Sequence, residues 1–241
     1  MIMTNQDYKN AALAALKGKW APAVLASVVI FLIMAPYLAV AEYPVLAGLD
    51  VSTTVPSWLL PCMGGSMLYL LLFMVPVSYI GYPNACRALL VSGDDRITGN
   101  SFRFGLKPWL RNWWAYFLME IKVMLWSFLF IIPGIIKAFA YALTPYLLVD
   151  CPELSALQCI KLSNQMMKGH KFDLFWLYLS FLGWILLTIL TLGIGMLWLI
   201  PYMQTSTAAF YLDVKEQYRA QNETAAPAET PAEAPAETPA E

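Results

Sequence analysis

Two ionisable side chains, Glu120 and Lys122, lie inside a long apolar stretch at residues 113–132. A charge at the centre of a membrane-spanning helix costs at least about 2.5–3.5 kcal/mol, so such residues are candidates for an ion or substrate path. Positions two apart on a helix point about 200° away from each other, so these two side chains do not pair directly. The alternative is a tilted stretch at the membrane interface, in which Lys122 extends its amine toward the headgroups.

A Pro-Tyr pair occurs three times, at residues 36–37, 145–146 and 201–202. Helices broken by proline form substrate sites near the midplane of transporters. A kinked helix that places a tyrosine between helices or at the interface explains the same pattern without a substrate. The pattern therefore favours packing, and transport is the alternative.

His170, the one histidine of the chain, stands close to Lys168 and Lys171. It could sense pH or contact a phosphate headgroup, although a histidine at a helix end is more often a cap or an interface residue. The sequence contains no Walker loop, no His-Glu-x-x-His motif, no Gly-x-Ser-x-Gly motif and no paired carboxylates. We therefore expect no catalytic residue and no enzymatic role.

Metal and disulfide chemistry has equally little support. The four cysteines, Cys62, Cys86, Cys151 and Cys159, form no Cys-x-x-Cys pair and have no metal-ligand spacing. A single histidine excludes most multi-histidine metal sites. We expect no metal and no cofactor.

The elements that carry these residues must be apolar helices. Of the 241 residues, 59% are hydrophobic and only 13% are charged, whereas soluble domains are roughly 45–50% apolar and about 25% charged. No charged residue occurs at 20–41, 51–86 or 174–212, which are runs of 22, 36 and 39 residues. A helix that spans a bilayer needs about 20 apolar residues. The composition therefore predicts an all-α, polytopic transmembrane helical bundle.

The hydropathy pattern and the turn signals divide the chain into about six spans. Pro133 and Gly134 indicate a turn between two of them, and the segment 191–195 indicates another. The predicted spans are 20–41, 58–82, 113–132, 135–149, 174–190 and 196–212.

The two ends of the chain have different character. Residues 1–19 predict an amphipathic cytoplasmic helix, with a capping box formed by Thr4 and Asp7. Residues 219–241 are rich in Pro, Ala and Glu, and such a segment cannot bury a core. We expect a disordered acidic tail there.

Residues 150–169 predict a further amphipathic helix, lying at the interface. Asp150 and Glu153 have the spacing of a capping box, Pro152 suits a first turn and Gly169 suits a helix end. The predicted buried face consists of Leu154, Leu157, Ile160, Asn164 and Met167. A charge at Leu157 is therefore expected to weaken the seating of this helix.

Charge in the loops predicts the orientation. Residues 87–111 contain five Lys and Arg, and residues 42–57 contain none, which predicts that both termini are cytoplasmic. Without the five acids after Arg219, eleven acids face fifteen bases. This modest excess suits anionic lipid headgroups and is too small and scattered for nucleic acid. The expected location is the bacterial cytoplasmic membrane.

Three short motifs carry a family resemblance: PGIIK at 133–137, MMKGHK at 166–171 and LTLGIG at 190–195. Together with ALAALKGKW at 12–20, the segments 125–171 and 174–211 resemble the multi-pass bacterial membrane proteins grouped as domain of unknown function 975. The resemblance implies membrane residence and no known activity or catalytic residues.

Two functional classes stay open. One is a non-catalytic membrane component that contacts the lipid bilayer, a partner membrane protein or a second copy of the chain. The other is a small-molecule or ion transporter with an unknown substrate, whose path is lined by Glu120, Lys122 and the Pro-Tyr kinks. A water-lined cavity that reaches Glu120 would favour the second class.

Overall fold

The computed structural model describes residues 3–32, 75–191 and 193–225. Every regular element within these ranges is helical, which confirms the all-α part of the predicted fold class. The described residues do not include the segment 42–57, which has no Lys or Arg, or parts of the predicted spans 20–41 and 58–82. The helices are α1 (Asn5–Leu16), α2 (Trp20–Leu32), α3 (Tyr82–Ser92), α4 (Ile97–Leu106), α5 (Trp109–Leu129), α6 (Ile131–Tyr141), α7 (Thr144–Asp150), α8 (Ala156–Met166), α9 (Lys171–Leu179), α10 (Leu182–Leu190) and α11 (Met196–Ala225).

Helix α1 begins at the predicted capping box. The Asp7 backbone N–H donates to the Thr4 hydroxyl at 3.4 Å, and the Thr4 backbone N–H donates to the Asp7 carboxylate at 2.7 Å. Each side chain satisfies an amide at the helix start that would otherwise lack a partner. Local sequence therefore determines where α1 begins.

One face of α1 packs against α11. Tyr8, Ala12 and Leu16, spaced four residues apart, are its buried residues. The Tyr8 hydroxyl donates to the Asp213 carboxylate at 2.5 Å, and its ring lies edge-on to Phe210. The apolar face of α1 is thus packed against the rest of the protein.

A wide turn of π-helix at Pro76–Gly81 leads directly into α3. Pro83 has no backbone N–H, so it cannot bond to the carbonyl four residues earlier. The chain widens here, and the Tyr82 N–H donates to the Val77 carbonyl, five residues back. The helix therefore continues through Ser92, beyond the predicted end of the span at residue 82.

The basic segment 87–111 is largely helical and is not an open loop. Gly93, at φ +67°, ends α3, and α4 follows after three residues. The Asp94 carboxylate accepts hydrogen bonds from the Asn100 amide at 2.9 Å and from Arg96. These hydrogen bonds hold the pKa of Asp94 at about 2. The carboxylate therefore stabilises the turn at neutral pH.

The predicted hairpin in residues 113–149 turns earlier than its Pro-Gly signal. The break is at Phe130, whose backbone is extended, with φ −157° and ψ 140°. Pro133 lies in the first turn of α6, where backbone N–H groups have no partner within the helix, so it removes no hydrogen bond. A Cβ on Gly134 would lie 2.8 Å from the Ser127 Cα. Glycine there allows α5 and α6 to approach closely.

Two predicted spans are each broken into two helices. The predicted span 135–149 is interrupted at residues 142–143, because Pro145 cannot donate to the carbonyl four residues earlier. The predicted span 174–190 is interrupted at residues 180–181. There the Ser180 hydroxyl donates to the Leu177 carbonyl at 2.6 Å and competes with the backbone pattern.

The helix predicted at 150–169 begins later and is rotated. Its capping box is formed by Ser155 and Gln158, so the predicted box of Asp150 with Glu153 is wrong. Asp150 instead ends α7. The buried residues of α8 are Ala156, Cys159, Ile160, Ser163 and Met166.

Leu157, which the sequence predicts to be buried, is 51% exposed. We expect Leu157→Glu to be tolerated, whereas Ile160→Glu should destabilise the protein by about 3–5 kcal/mol, because it buries an unpaired carboxylate. The two variants make the same change on one helix, so each serves as the other's control. Trypsin-resistant fractions of the purified proteins in detergent would measure the difference. Equal sensitivity would contradict the assigned face.

The chain turns between α10 and α11 at the predicted segment 191–195, with Gly193 at φ +85°. Helix α11 then continues well past the predicted end at residue 212, through Ala225. The prediction of disorder from residue 219 is thus wrong for residues 219–225. Arg219 and Glu223, one turn apart, approach to 3.6 Å, and the first proline of the tail comes later, at Pro227. Residues 226–241 lie outside the described part of the chain.

Two helical stretches within the described residues are long and apolar enough to cross a membrane: Ile132–Asp150 and Lys171–Leu190. Helices α1 and α2 meet at an angle of 97°. If the two are counted together as one bent span, they form a third candidate. The main buried cluster is formed by residues from α1, the π-helical turn, α5, α7, α8, α9 and α11 and from the breaks between helices. Its largest members are Tyr146, Phe181, Phe210 and Tyr211.

Candidate functional site

The structure does not bring the predicted polar residues of α5 together. Glu120 is exposed and lies close to Tyr116, one turn earlier on the same helix. Lys122 is half-buried, and its amine lies 6.0 Å from the centre of the Tyr141 ring on α6, within the range of a cation–π contact. No ion pair joins Glu120 to Lys122.

His170 precedes α9 and lies apart from those two residues. Its Nδ1 is 3.2 Å from the Asp173 carboxylate. Together with Lys168, Gln165 and Tyr218, it lines an open cavity of about 290 Å³ between α8 and α11. His170 occupies the position before α9, and its side chain makes no capping hydrogen bond to the backbone.

The main charged cluster inside the structure is centred on Asp150, at the end of α7. Arg87 from α3 pairs with one carboxylate oxygen. The other oxygen accepts hydrogen bonds from the Tyr211 hydroxyl at 2.6 Å and from the Lys215 amine at 2.5 Å, both from α11. We call Arg87, Asp150, Tyr211 and Lys215 the Asp150 cluster. It joins three helices that are distant in sequence.

The Asp150 cluster is charged, and its two central side chains are largely excluded from solvent. The side chains of Asp150 and Arg87 are only 10% and 16% exposed, while Lys215 is half-exposed. A carboxylate in such a place is stable only when it is paired. Arg87 also keeps its Nε without a hydrogen-bond partner among the described residues. The cluster therefore has one unmet donor and a net charge of +1.

Arg111, at the start of α5, fixes the segment that follows Asp150. Its guanidinium donates to the backbone carbonyls of Leu148, Pro152 and Leu154. A cation at the end of a helix is favoured because the carbonyls there lack partners. Arg111 thus holds the connection between α7 and α8 and forms no ion pair with Glu120.

An aromatic stack links the Asp150 cluster to a cavity. The Tyr211 ring lies parallel to the Tyr146 ring, with centres 4.7 Å apart. Tyr146 is fully buried and lines a cavity of about 270 Å³. We call this space the polar cavity. Its lining residues are Ser78, Tyr79, Pro83, Ala138, Phe139, Ala142, Pro145, Tyr146, Tyr178, Gln204 and Thr207.

The breaks in the helices form the wall of the polar cavity. The π-helical turn contributes Tyr79, and Pro83 follows it on α3. The start of α7 contributes Pro145 and Tyr146. The Asn84 amide donates to the Pro145 carbonyl at 2.8 Å and connects the two breaks. Glu120 is not among the residues that line this cavity.

Of the two Pro-Tyr pairs that the structure describes, one is part of this site. The pair at 145–146 lines the polar cavity. In the pair at 201–202, the Tyr202 ring packs edge-on against Phe181, at 5.1 Å between ring centres. The pair at 36–37 lies outside the described residues.

Sequence reasoning missed the Asp150 cluster and most of the cavity wall. Asp150 is the first acid after the 113–149 stretch, and its spacing from Glu153 is that of a capping box. The local pattern therefore predicts that Asp150 caps a helix. The spacing of Tyr211 and Lys215 by one helical turn is a usable signal, because both side chains must share a face. No local signal points to Arg87 as their partner.

Metal chemistry has no site in the part of the chain that the structure covers. There, no group of three or more His, Cys, Asp or Glu side chains could hold an ion. Cys86, Cys151 and Cys159 are free thiols. Cys62 lies outside the described residues.

Comparison with known protein families matches residues 63–218 to the family described as "Protein of unknown function (DUF975)". The N-terminal motif at 12–20 lies outside the matched range, whereas the whole Asp150 cluster and the whole polar cavity lie inside it. No curated protein and no solved structure matches the chain. Because the match covers more than half of the 241 residues, the chain belongs to the DUF975 family.

Proposed function

We propose that this protein is a polytopic component of the bacterial cytoplasmic membrane that has no catalytic role and acts through contacts with lipids or partner proteins. The proposed architecture is a six-span bundle with both termini in the cytoplasm. In this arrangement the Asp150 cluster and the basic segment 87–111 lie at the cytoplasmic side.

The observation that carries the proposal is the exposed apolar surface of α10. Its nine residues contain no charge, and its side chains are mainly exposed, Leu190 by 80%. A helix that is apolar all round belongs either in a protein core or in a membrane. Only 22% of the most apolar window in Lys171–Leu190 is buried inside the protein, which supports the membrane.

The same feature extends to other helices. Large apolar side chains are exposed along α5 and at the start of α6. Soluble monomers rarely expose contiguous apolar patches beyond about 300–600 Å². The exposed residues of α5 and α6 are Trp109, Leu110, Trp114, Phe117, Ile121, Met124, Leu125, Trp126, Phe128, Ile132, Ile135 and Ile136.

Labelling of single cysteines tests the membrane placement and the orientation together. In a cysteine-free background, we expect an impermeant maleimide to label Ser52→Cys in intact cells. Ser92→Cys, which places the thiol at the exposed end of α3, should be labelled only after permeabilisation, because the positive-inside rule puts residues 87–111 in the cytoplasm. The reverse pattern would overturn the orientation. Protection of both positions in intact cells would contradict a membrane-spanning arrangement.

A second candidate function is binding or permeation of a small molecule. The polar cavity supports it, because the cavity lies between helices and contains hydroxyl and amide groups. The exposed position of Glu120 speaks against a charged path through that residue. The polar cavity, rather than Glu120, is therefore the part of the molecule on which this second function depends.

A further inference from the structure

The polar cavity is uncharged. None of its eleven lining residues is acidic or basic, although the charged Asp150 cluster is one aromatic ring away. A bound ion would lose its hydration without gaining a counter-charge, at a large cost in free energy. The lining therefore selects against ions and in favour of neutral molecules.

The lining is mixed in a way that suits a molecule with both apolar and polar parts. Tyr79, Phe139 and Tyr178 contribute aromatic rings. Gln204 contributes an amide that can both donate and accept, and Thr207 contributes a hydroxyl. Thr207 and Tyr178 approach to 3.5 Å through their oxygens, so two polar groups converge on one wall.

One buried hydroxyl in the wall, that of Tyr146, lacks a hydrogen-bond partner among the described residues. Burying such a group without a partner costs about 1–3 kcal/mol. The Tyr146 ring is held by the stack on Tyr211, so the side chain is fixed in this position. The hydroxyl oxygen itself has almost no accessible surface, so a ligand in the cavity does not reach it. The half-buried Gln204 amide is the donor that a ligand oxygen meets.

The cavity opens sideways through α6. Ala138 lines it and is itself exposed. Ala138 belongs to the candidate span Ile132–Asp150, and Tyr178 on the opposite wall belongs to the candidate span Lys171–Leu190. In the proposed membrane arrangement, this opening faces lipid. The entry route rests on that proposed function, whereas binding itself does not.

We infer that the polar cavity is a binding site for a small uncharged molecule with an apolar body and at least one oxygen acceptor, which enters from the bilayer. The volume of about 270 Å³ corresponds to roughly nine water-sized groups at about 30 Å³ each. A single aromatic or aliphatic ring with a hydroxyl or carbonyl substituent matches this size. The Gln204 amide donates to the oxygen, and the tyrosine and phenylalanine rings contact the body.

A fluorine NMR titration of the full-length protein in detergent tests the inference. The probe is 4-fluorobenzyl alcohol, and the charged analogues 4-fluorobenzylamine and 4-fluorobenzoate are compared with it. We expect saturable binding of the alcohol and at least tenfold weaker binding of both charged analogues. Equal binding of all three probes, or no saturable binding of the alcohol, would overturn the inference.

Matched variants locate the binding. Gln204→Leu removes the amide donor of the wall and should weaken binding of the alcohol at least fivefold. Gln6→Leu makes the same change at an exposed side chain that does not line the polar cavity, and it should leave binding unchanged. Equal effects of the two variants would place the probe elsewhere and overturn the assignment.

A space-filling variant keeps the test independent of Gln204. Ala142→Leu adds bulk to the cavity wall and should abolish binding without lowering the unfolding midpoint. Retained binding in a folded Ala142→Leu protein would overturn the inference. Because these titrations are done in detergent, their failure leaves the labelling result at Ser52 and Ser92 unaffected, and the two proposals can fail separately.

Discussion

The Asp150→Asn variant is expected to lose about 2–4 kcal/mol of unfolding free energy, because it leaves Arg87 without its counter-charge in a nearly dry site. Asparagine has the same shape, and its amide oxygen can still accept from the Tyr211 hydroxyl, but its NH2 group then faces the Arg87 guanidinium. The change therefore removes the charge and one hydrogen-bond acceptor. Lys215 is half-exposed and can turn to solvent, whereas Arg87 is held among helices and cannot. Urea unfolding of the purified protein in detergent would measure the loss.

Glu153→Gln is the matched control for this prediction. It removes the same charge three residues along the chain, at an exposed side chain, and should change stability by less than about 0.5 kcal/mol. A double variant, Arg87→Leu with Asp150→Asn, should recover part of the loss, since removing both charges of a buried pair is often close to neutral. Equal losses in Asp150→Asn and Glu153→Gln would show that the cluster does not hold α3, α7 and α11 together.

The Gly105→Ala variant is expected to lose about 3 kcal/mol, because the added methyl group has no free space. Gly105, on α4, faces the π-helical turn, and a Cβ there would lie 2.6 Å from the Val77 Cα and 2.7 Å from the Pro76 carbonyl oxygen. Both are backbone atoms, so no side-chain rotation can relieve the contact. The π-helical turn would have to shift, and with it one wall of the polar cavity.

Gly99→Ala on the same helix should instead increase the free energy of unfolding. A Cβ on Gly99 meets no atom within 4 Å, and alanine is favoured over glycine inside a helix by about 0.5–1 kcal/mol. Thermal unfolding of the two variants in one detergent would give the comparison. A Gly105→Ala protein as stable as Gly99→Ala would contradict the close packing of α4 on the π-helical turn.

Helix starts show where local sequence is sufficient. Thr4 and Asp7 form the predicted capping box, because no other part of the protein competes for the Asp7 carboxylate. At α8 the chain offers two capping boxes in succession, one at Asp150 and one at Ser155. The structure uses the second. Arg87 and the side chains from α11 bind the Asp150 carboxylate, and this competition is not visible in the local pattern.

The burial of side chains on α8 also depends partly on local sequence and partly on tertiary packing. The periodicity of residues 150–169 predicts a helix with one apolar face, and Ile160 and Met167 of that face are buried, whereas Leu157 is exposed. The buried face is therefore rotated from the predicted one. Leu157 and Cys159 are both apolar and lie about 200° apart on the helix. Which of them is buried depends on where α5, α6 and α7 pack. Hydropathy ranks Leu157 first, and tertiary packing buries Cys159.

The helical character of the described chain, the turn between α10 and α11, the capping box of α1 and the family are predictable from the sequence. They depend on composition and on residues a few positions apart. The binding of Asp150 to Arg87 and Lys215, which are 63 and 65 residues away, arises from the packing of the helices. The same holds for the polar cavity, whose wall combines the π-helical turn, α3, α6, α7, α9 and α11. Long-range partners of this kind depend on the three-dimensional packing of the helices, which hydropathy and short-range spacing do not specify.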